Sequence, residues 1–155
     1  MRNAQHIKQN IQRGFTLLEV LLVVAIIAIL AGIVIVAINP AKNLGDTRNS
    51  QRSSDVSAIL SATSQYTLDN NGMPAGITAT PTEICATGAT TCTGLVDLTP
   101  LTTAGKSLSA IPKDPQCATV CAPNGVGYDI SKNANDQIIV SAPFAEQSKT
   151  ISATK

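Results

Sequence analysis

The chain has no tryptophan, and only two tyrosines and two phenylalanines are spread over its 155 residues. A body this poor in large rings can build only a small, lightly packed core. Histidine is scarce as well: His6 is the single example, and it lies among the first fourteen residues. No Ser-His-Asp set, phosphate-binding loop or dinucleotide fingerprint appears, so nothing converges on a catalytic centre. The sequence reads as a non-enzyme. Nor does one sign of charge dominate. Eleven Lys and Arg against ten Asp and Glu leave a net +1, which gives no footing for direct nucleic-acid binding. The length fits one domain.

What is present is one long apolar run. From Val20 to Ile38, nineteen residues, every position is apolar or glycine. As a helix it extends roughly 28 Å at about 1.5 Å per residue. That matches a hydrocarbon core of about 30 Å. The preceding MRNAQHIKQNIQRG carries Arg2, Lys8 and Arg13 and no acid. The run exceeds the apolar part of an ordinary signal peptide, about 7–15 residues, and no A-x-A cleavage site closes it. A membrane anchor is expected, with residues 1–14 in the cytoplasm and residue 40 onward outside. Glu19 fits a plain anchor poorly. A carboxylate near the bilayer centre costs about 2.5–3.5 kcal/mol. Either Glu19 is tolerated at the membrane boundary, where the cost falls, or it has a function.

Arg13-Gly14-Phe15-Thr16-Leu17-Leu18-Glu19 resembles the processing site of type IV pilins and type II secretion pseudopilins. The resemblance covers about 25 residues. It implies that a prepilin peptidase cuts after Gly14 and that the new N-terminal Phe15 is N-methylated. It implies that Glu19 acts in assembly, as partner of the Phe15 amine in a bundle of apolar helices. A carboxylate in such a bundle needs a cation, and one buried polar pair can set register. The absent side chain of Gly14 lets a peptidase approach the backbone. Removing the leader takes away three cations and leaves a body near −2, which weakens a nucleic-acid role further.

Pro40 either kinks the helix or starts a new one; Gly32 and Gly45 are further weak points. Over 41–70, Val56, Ile59, Leu60, Thr63 and Tyr66 recur at helical spacing and form one apolar stripe. Asp46, Arg48, Arg52 and Asp55 are expected on a solvated or inter-subunit face. The helix stops at Asn70-Asn71-Gly72-Met73-Pro74, giving an N-terminal helical spine of roughly 55 residues. Leu95–Leu101 reads as holding a short helical turn, and Ile111–Pro115 as extended. Tyr128–Ile130 and Ile138–Ser141, around Asn133–Asp136, read as a β-hairpin. Residues 144–155 read as a flexible tail.

Four cysteines behind a membrane anchor favour an oxidising compartment. Cys85-x6-Cys92 and Cys117-x3-Cys121 fit two disulfides or two zinc half-sites; only the second spacing suits structural zinc. Disulfides are expected, and of three connectivities the local one, Cys85–Cys92 with Cys117–Cys121. The resemblance raises calcium in a C-terminal loop, where Asp114, Asp129 and Asp136 are the available acids. Their spacing suits turns better, so no metal or other cofactor is expected.

The expected fold is α+β: a long N-terminal helix, transmembrane and then amphipathic, packed on a small antiparallel sheet. The divisions are a leader at 1–14, a transmembrane and filament-core helix at 15–39, an amphipathic helix at 40–72, and a loop-rich β domain at 73–155 with a hairpin near 127–142. The resemblance implies a prepilin polymerised into a type IV pilus for adhesion, motility or DNA uptake, or else a pseudopilin of a type II secretion system. Its partners are then the prepilin peptidase, further copies and other pilins, with an assembly ATPase and platform protein acting indirectly. Its place is the cytoplasmic membrane before assembly and an extracellular pilus afterwards.

Overall fold

The computed structural model describes residues 14–103 and 107–155. Arg2, His6, Lys8 and Arg13 of the basic leader lie outside the described residues. Two compact units are present, one up to Pro40 and one from Ala41 to Lys155.

The first unit contains helix α1, Leu17–Ile38, of 22 residues. None of them is buried, although nearly all are apolar. The helix ends at Asn39, which adopts the left-handed conformation with φ 45° and ψ 75°. Asn tolerates that region better than most residues, and Pro40 behind it excludes ordinary helix at this position.

Helix α2 then runs Pro40–Asn70, 31 residues. The helical spine is therefore interrupted at Asn39, and Pro40 occupies the first turn of a new helix, where its missing N–H costs nothing. Asn71, with φ 50°, and Gly72 follow its end.

The second unit packs α2 on a four-stranded antiparallel sheet of order β1-β2-β3-β4. The strands are β1 Thr82–Cys85, β2 Gly125–Lys132, β3 Ile138–Ser141 and β4 Ser152–Thr154. Two single-turn helices, α3 Thr99–Thr102 and α4 Cys117–Val120, lie between β1 and β2 in sequence. The β2–β3 hairpin is pinned at its turn. The Asn133 side-chain oxygen accepts from the backbone N–H of Asn135 and of Gln137, both at 2.9 Å. Lys132 pairs with Ile138 and Asp129 with Ser141.

One core joins α2 to the sheet. Val56, Ile59, Leu60 and Ala62 meet Ile84, Val126, Tyr128, Ile130 and Val140, with Leu101 from α3 and Val96, Leu98 and Ile111 from the loops. Among the described residues Tyr128 is the single aromatic ring wholly inside, so aliphatic side chains fill most of the space.

Two expectations need correction. Arg52 and Asp55 are buried, not solvated. The apolar stripe continues toward the start of α2 through Arg52, Asn49 and Gly45 at the same helical spacing, but there the buried side chains are polar. The tail is ordered as well: β4 pairs with β3, and residue 146 is tied to α2. The helical turn expected within Leu95–Leu101 is present and begins at Thr99, where Asp97 accepts from the Thr99 N–H at 2.8 Å and its hydroxyl at 2.6 Å.

Candidate processing and assembly site

Gly14, Phe15 and Thr16 precede α1 in non-helical backbone. Thr16 is the N-cap, extended at φ −78° and ψ 151°, and its hydroxyl accepts from the Glu19 N–H at 3.2 Å. The Thr16 carbonyl accepts the first helical bond, from Val20 N–H at 3.2 Å. This satisfies donors that every helix start leaves open. Thr16 and Glu19 have the spacing of a capping box, and Phe15 and Val20 that of a hydrophobic staple. Phe15, Glu19 and Val20 line one apolar hollow with Val23 and Val24.

Phe15 is 83 % exposed. A side chain added at Gly14 meets no atom within 4 Å, so packing within the described residues does not demand glycine there. Sequence reasoning singled out Gly14, Phe15 and Glu19 but passed over Thr16. The signal was present as a threonine three residues before a glutamate.

In the second unit, a charged cluster ties the chain's last residues to α2. The Arg52 guanidinium donates to Asp114 at 2.6 and 3.0 Å, to Gln116 at 2.8 Å, to Asn49 at 3.1 Å and to Glu146 at 3.3 Å. Arg52 and Asp114 side chains are both fully buried. Arg48 donates to Glu146 at 2.5 and 2.6 Å. Asn49 and Glu146 exchange side-chain-to-backbone bonds at 2.9 Å. The hydrogen bond to Asp114 holds the Arg52 pKa above its ordinary value, and the Arg48 hydrogen bond pulls Glu146 down to about 2.

Gly127 helps bring Asp114 to this cluster. Its φ is +81°, and a Cβ there would collide with Asp114 Cβ and Cys121 Sγ. Glycine thus lets the 111–116 segment lie against β2, where Asp114 N–H donates to Val126 at 2.8 Å. On the core side, Tyr128 donates to Asp55 at 2.7 Å, and burial pushes the Tyr128 pKa well above its usual value.

Cys85 is bonded to Cys92 and Cys117 to Cys121, with Cα separations of 5.6 and 4.8 Å. The acids considered for calcium stand apart. Asp114 is taken by Arg52 and Asp136 by Lys132 at 2.6 Å. Asp129 has its pKa raised by burial and then by Glu83. Among the described residues, no group of three or more His, Cys, Asp or Glu could hold a metal. These residues do not fit a calcium loop.

Residues 9–35 match the family model for the prokaryotic N-terminal methylation motif. Over 63 residues the chain is 40 % identical to type II secretion system core protein G of Pectobacterium carotovorum subsp. carotovorum, covering 41 % of this chain and 39 % of that one. The protein of the same name from Escherichia coli K12 is also 40 % identical over 63 residues, 41 % of this chain and 42 % of its own. That of Aeromonas hydrophila is 41 % identical over 63 residues, 41 % and 43 % of the two chains. The chain thus spans less than half the length of these relatives. No solved structure matches it. The N-terminal matches and the helix-on-sheet body agree: the chain carries the prokaryotic N-terminal methylation motif ahead of a pilin-like α+β body, and over about two fifths of its length it is similar to type II secretion system core protein G.

Proposed function

We propose that the chain is a structural filament subunit, made as a precursor, cut between Gly14 and Phe15, N-methylated on Phe15 and polymerised through α1. The carrying observation is that a helix with no buried residue makes up most of the segment matched by the methylation motif, residues 9–35. Its apolar surface needs lipid before assembly and other helices afterwards. Hydrolysis adds water across the Gly14–Phe15 amide, giving a carboxylate on Gly14 and an amine on Phe15. That amine is the cation which Glu19 of the same or a neighbouring copy takes as partner. The basic leader faces the cytoplasm and the second unit the outside.

Of the two filaments built this way, the type II secretion pseudopilus is favoured, because the matched relatives are named type II secretion system core protein G. A surface pilus is the second reading. Its support is that Arg48 and Arg52 tie Glu146 and Asp114 to α2, with two disulfides bracing the stretch from β1 to β2, where the resemblance gives a pseudopilin a calcium-held loop.

Disrupting the gene separates the two readings. Loss of export of a folded protein, with no change in surface filaments, supports the pseudopilus. Loss of long surface filaments with export intact supports the pilus. Either assignment fails if both processes persist unchanged. Chelating calcium is expected to leave the melting temperature unchanged; a large drop would show a metal site that these residues do not suggest.

A further inference from the structure

We infer that Thr16 is the positioning residue of the processing site, the group that keeps the Gly14–Phe15 bond outside the helix in backbone a peptidase can grip. The inference rests on the cleavage reading above. A peptide bond inside a helix has its N–H and C=O turned along the axis and engaged with the next turn, so it cannot lie flat in a cleft. The helix must therefore stop short of the bond. Thr16 stops it: its backbone is extended and its hydroxyl accepts from Glu19 N–H. Leu17 is the first helical residue, which leaves Phe15 and Gly14 beyond the end.

The direction of the effect follows from the surroundings. Without an acceptor at position 16, the helix cannot retreat inward. Everything from Leu17 to Leu22 except Glu19 is apolar, and backbone groups in lipid need helical partners. The end instead moves outward to Gly14, the next residue of a type that caps. Phe15 becomes helical, and the scissile bond lies at the helix terminus. The competent extended form becomes a minor population, which weakens apparent binding in proportion. Threonine and serine both supply the hydroxyl; valine keeps the shape of threonine and lacks the acceptor.

The test uses the full chain in lipid nanodiscs with a prepilin peptidase, reading cleavage rate against chain concentration by mass. Thr16→Val is expected to raise KM about fivefold and leave kcat unchanged, the equivalent of about 1 kcal/mol of lost capping. Thr16→Ser is expected to match the parent chain. In uncut chain, the Phe15 backbone carbon shifts should read extended in the parent and Ser forms and helical in the Val form. Equal cleavage of the Val and parent chains would overturn the inference, as would a Ser form as slow as Val or an extended Phe15 in the Val form. A parent chain that the peptidase leaves uncut would overturn the cleavage reading beneath it.

Discussion

Helices α1 and α2 invert the usual relation between polarity and burial. In α1 the side chains are apolar and none is buried. In α2 the buried face includes Asn49, Arg52, Asp55, Thr63 and Ser64. The difference teaches that each helix was composed for a different solvent. A helix that meets lipid or like helices all round has no polar side to turn outward. A helix on a small sheet with one buried ring has too little apolar bulk to cover its whole length. Its first half is closed by ion pairs instead, and Arg52 is the largest side chain fully inside.

The largest effect expected from this contrast concerns α1. Glu19→Ala makes α1 wholly apolar and removes the partner proposed for the Phe15 amine. Filaments should be lost, while the chain stays in the membrane with its melting temperature unchanged. Electron microscopy and thermal melting of the same preparation read both. Normal filament yield would return Glu19 to a residue tolerated at the membrane boundary.

Next comes the opposite experiment on α2. Arg52→Met leaves the fully buried Asp114 carboxylate without its bidentate partner. Removing one member of a buried pair typically costs about 3–5 kcal/mol. Denaturant unfolding of the detergent-solubilised chain should show that loss with membrane insertion intact. Leucine placed at Asp114 in the same chain should recover part of it, because the unpaired charge is then gone. A loss below about 1 kcal/mol, the range of surface pairs, would mean that water reaches the pair.

The disulfides rank third. Closing loops of separation 7 and 4 restricts the unfolded chain by about 2.5 and 2 kcal/mol on the chain-entropy relation. Alanine at both Cys85 and Cys92 should therefore destabilise slightly more than alanine at Cys117 and Cys121. Parallel urea titrations settle the order.

The smallest effect is acid sensitivity through Glu146. Its folded pKa is depressed from 4.5 to about 2, so its contribution is present above about pH 4.5 and is lost as pH falls toward 2. Glu146→Gln should flatten that part of the stability profile and leave the region above pH 6 with the same slope. An unchanged acid limb would place the loss elsewhere, with Asp46, also depressed through its Lys149 hydrogen bond, the next group to replace.

How much of this was legible follows the same division. Helix α1 was readable because a uniform run needs no knowledge of its neighbours. Val56, Ile59 and Leu60 announced the buried face of α2 by their spacing. Arg52 and Asp55 carried the same period in charged residues, and hydropathy assigns such residues to water. Asp114, 62 residues away, makes Arg52 an interior residue together with Gln116 and Glu146, all distant in sequence. The tail was misread for a related reason. Ser152–Thr154 has little intrinsic strand signal, and its pairing with β3 lies in the partner strand. At the processing site the side chains of Phe15 and Glu19 were conspicuous, whereas the Thr16 cap showed only when the start of the helix was fixed.

The central claim is that α1 is made to be freed at Phe15 and then buried by its own kind. Intact mass analysis of the chain recovered from assembled filaments tests it most directly. The account predicts a chain beginning at Phe15 with one methyl group on its amine. Filaments containing a chain that still begins at Met1 would contradict it.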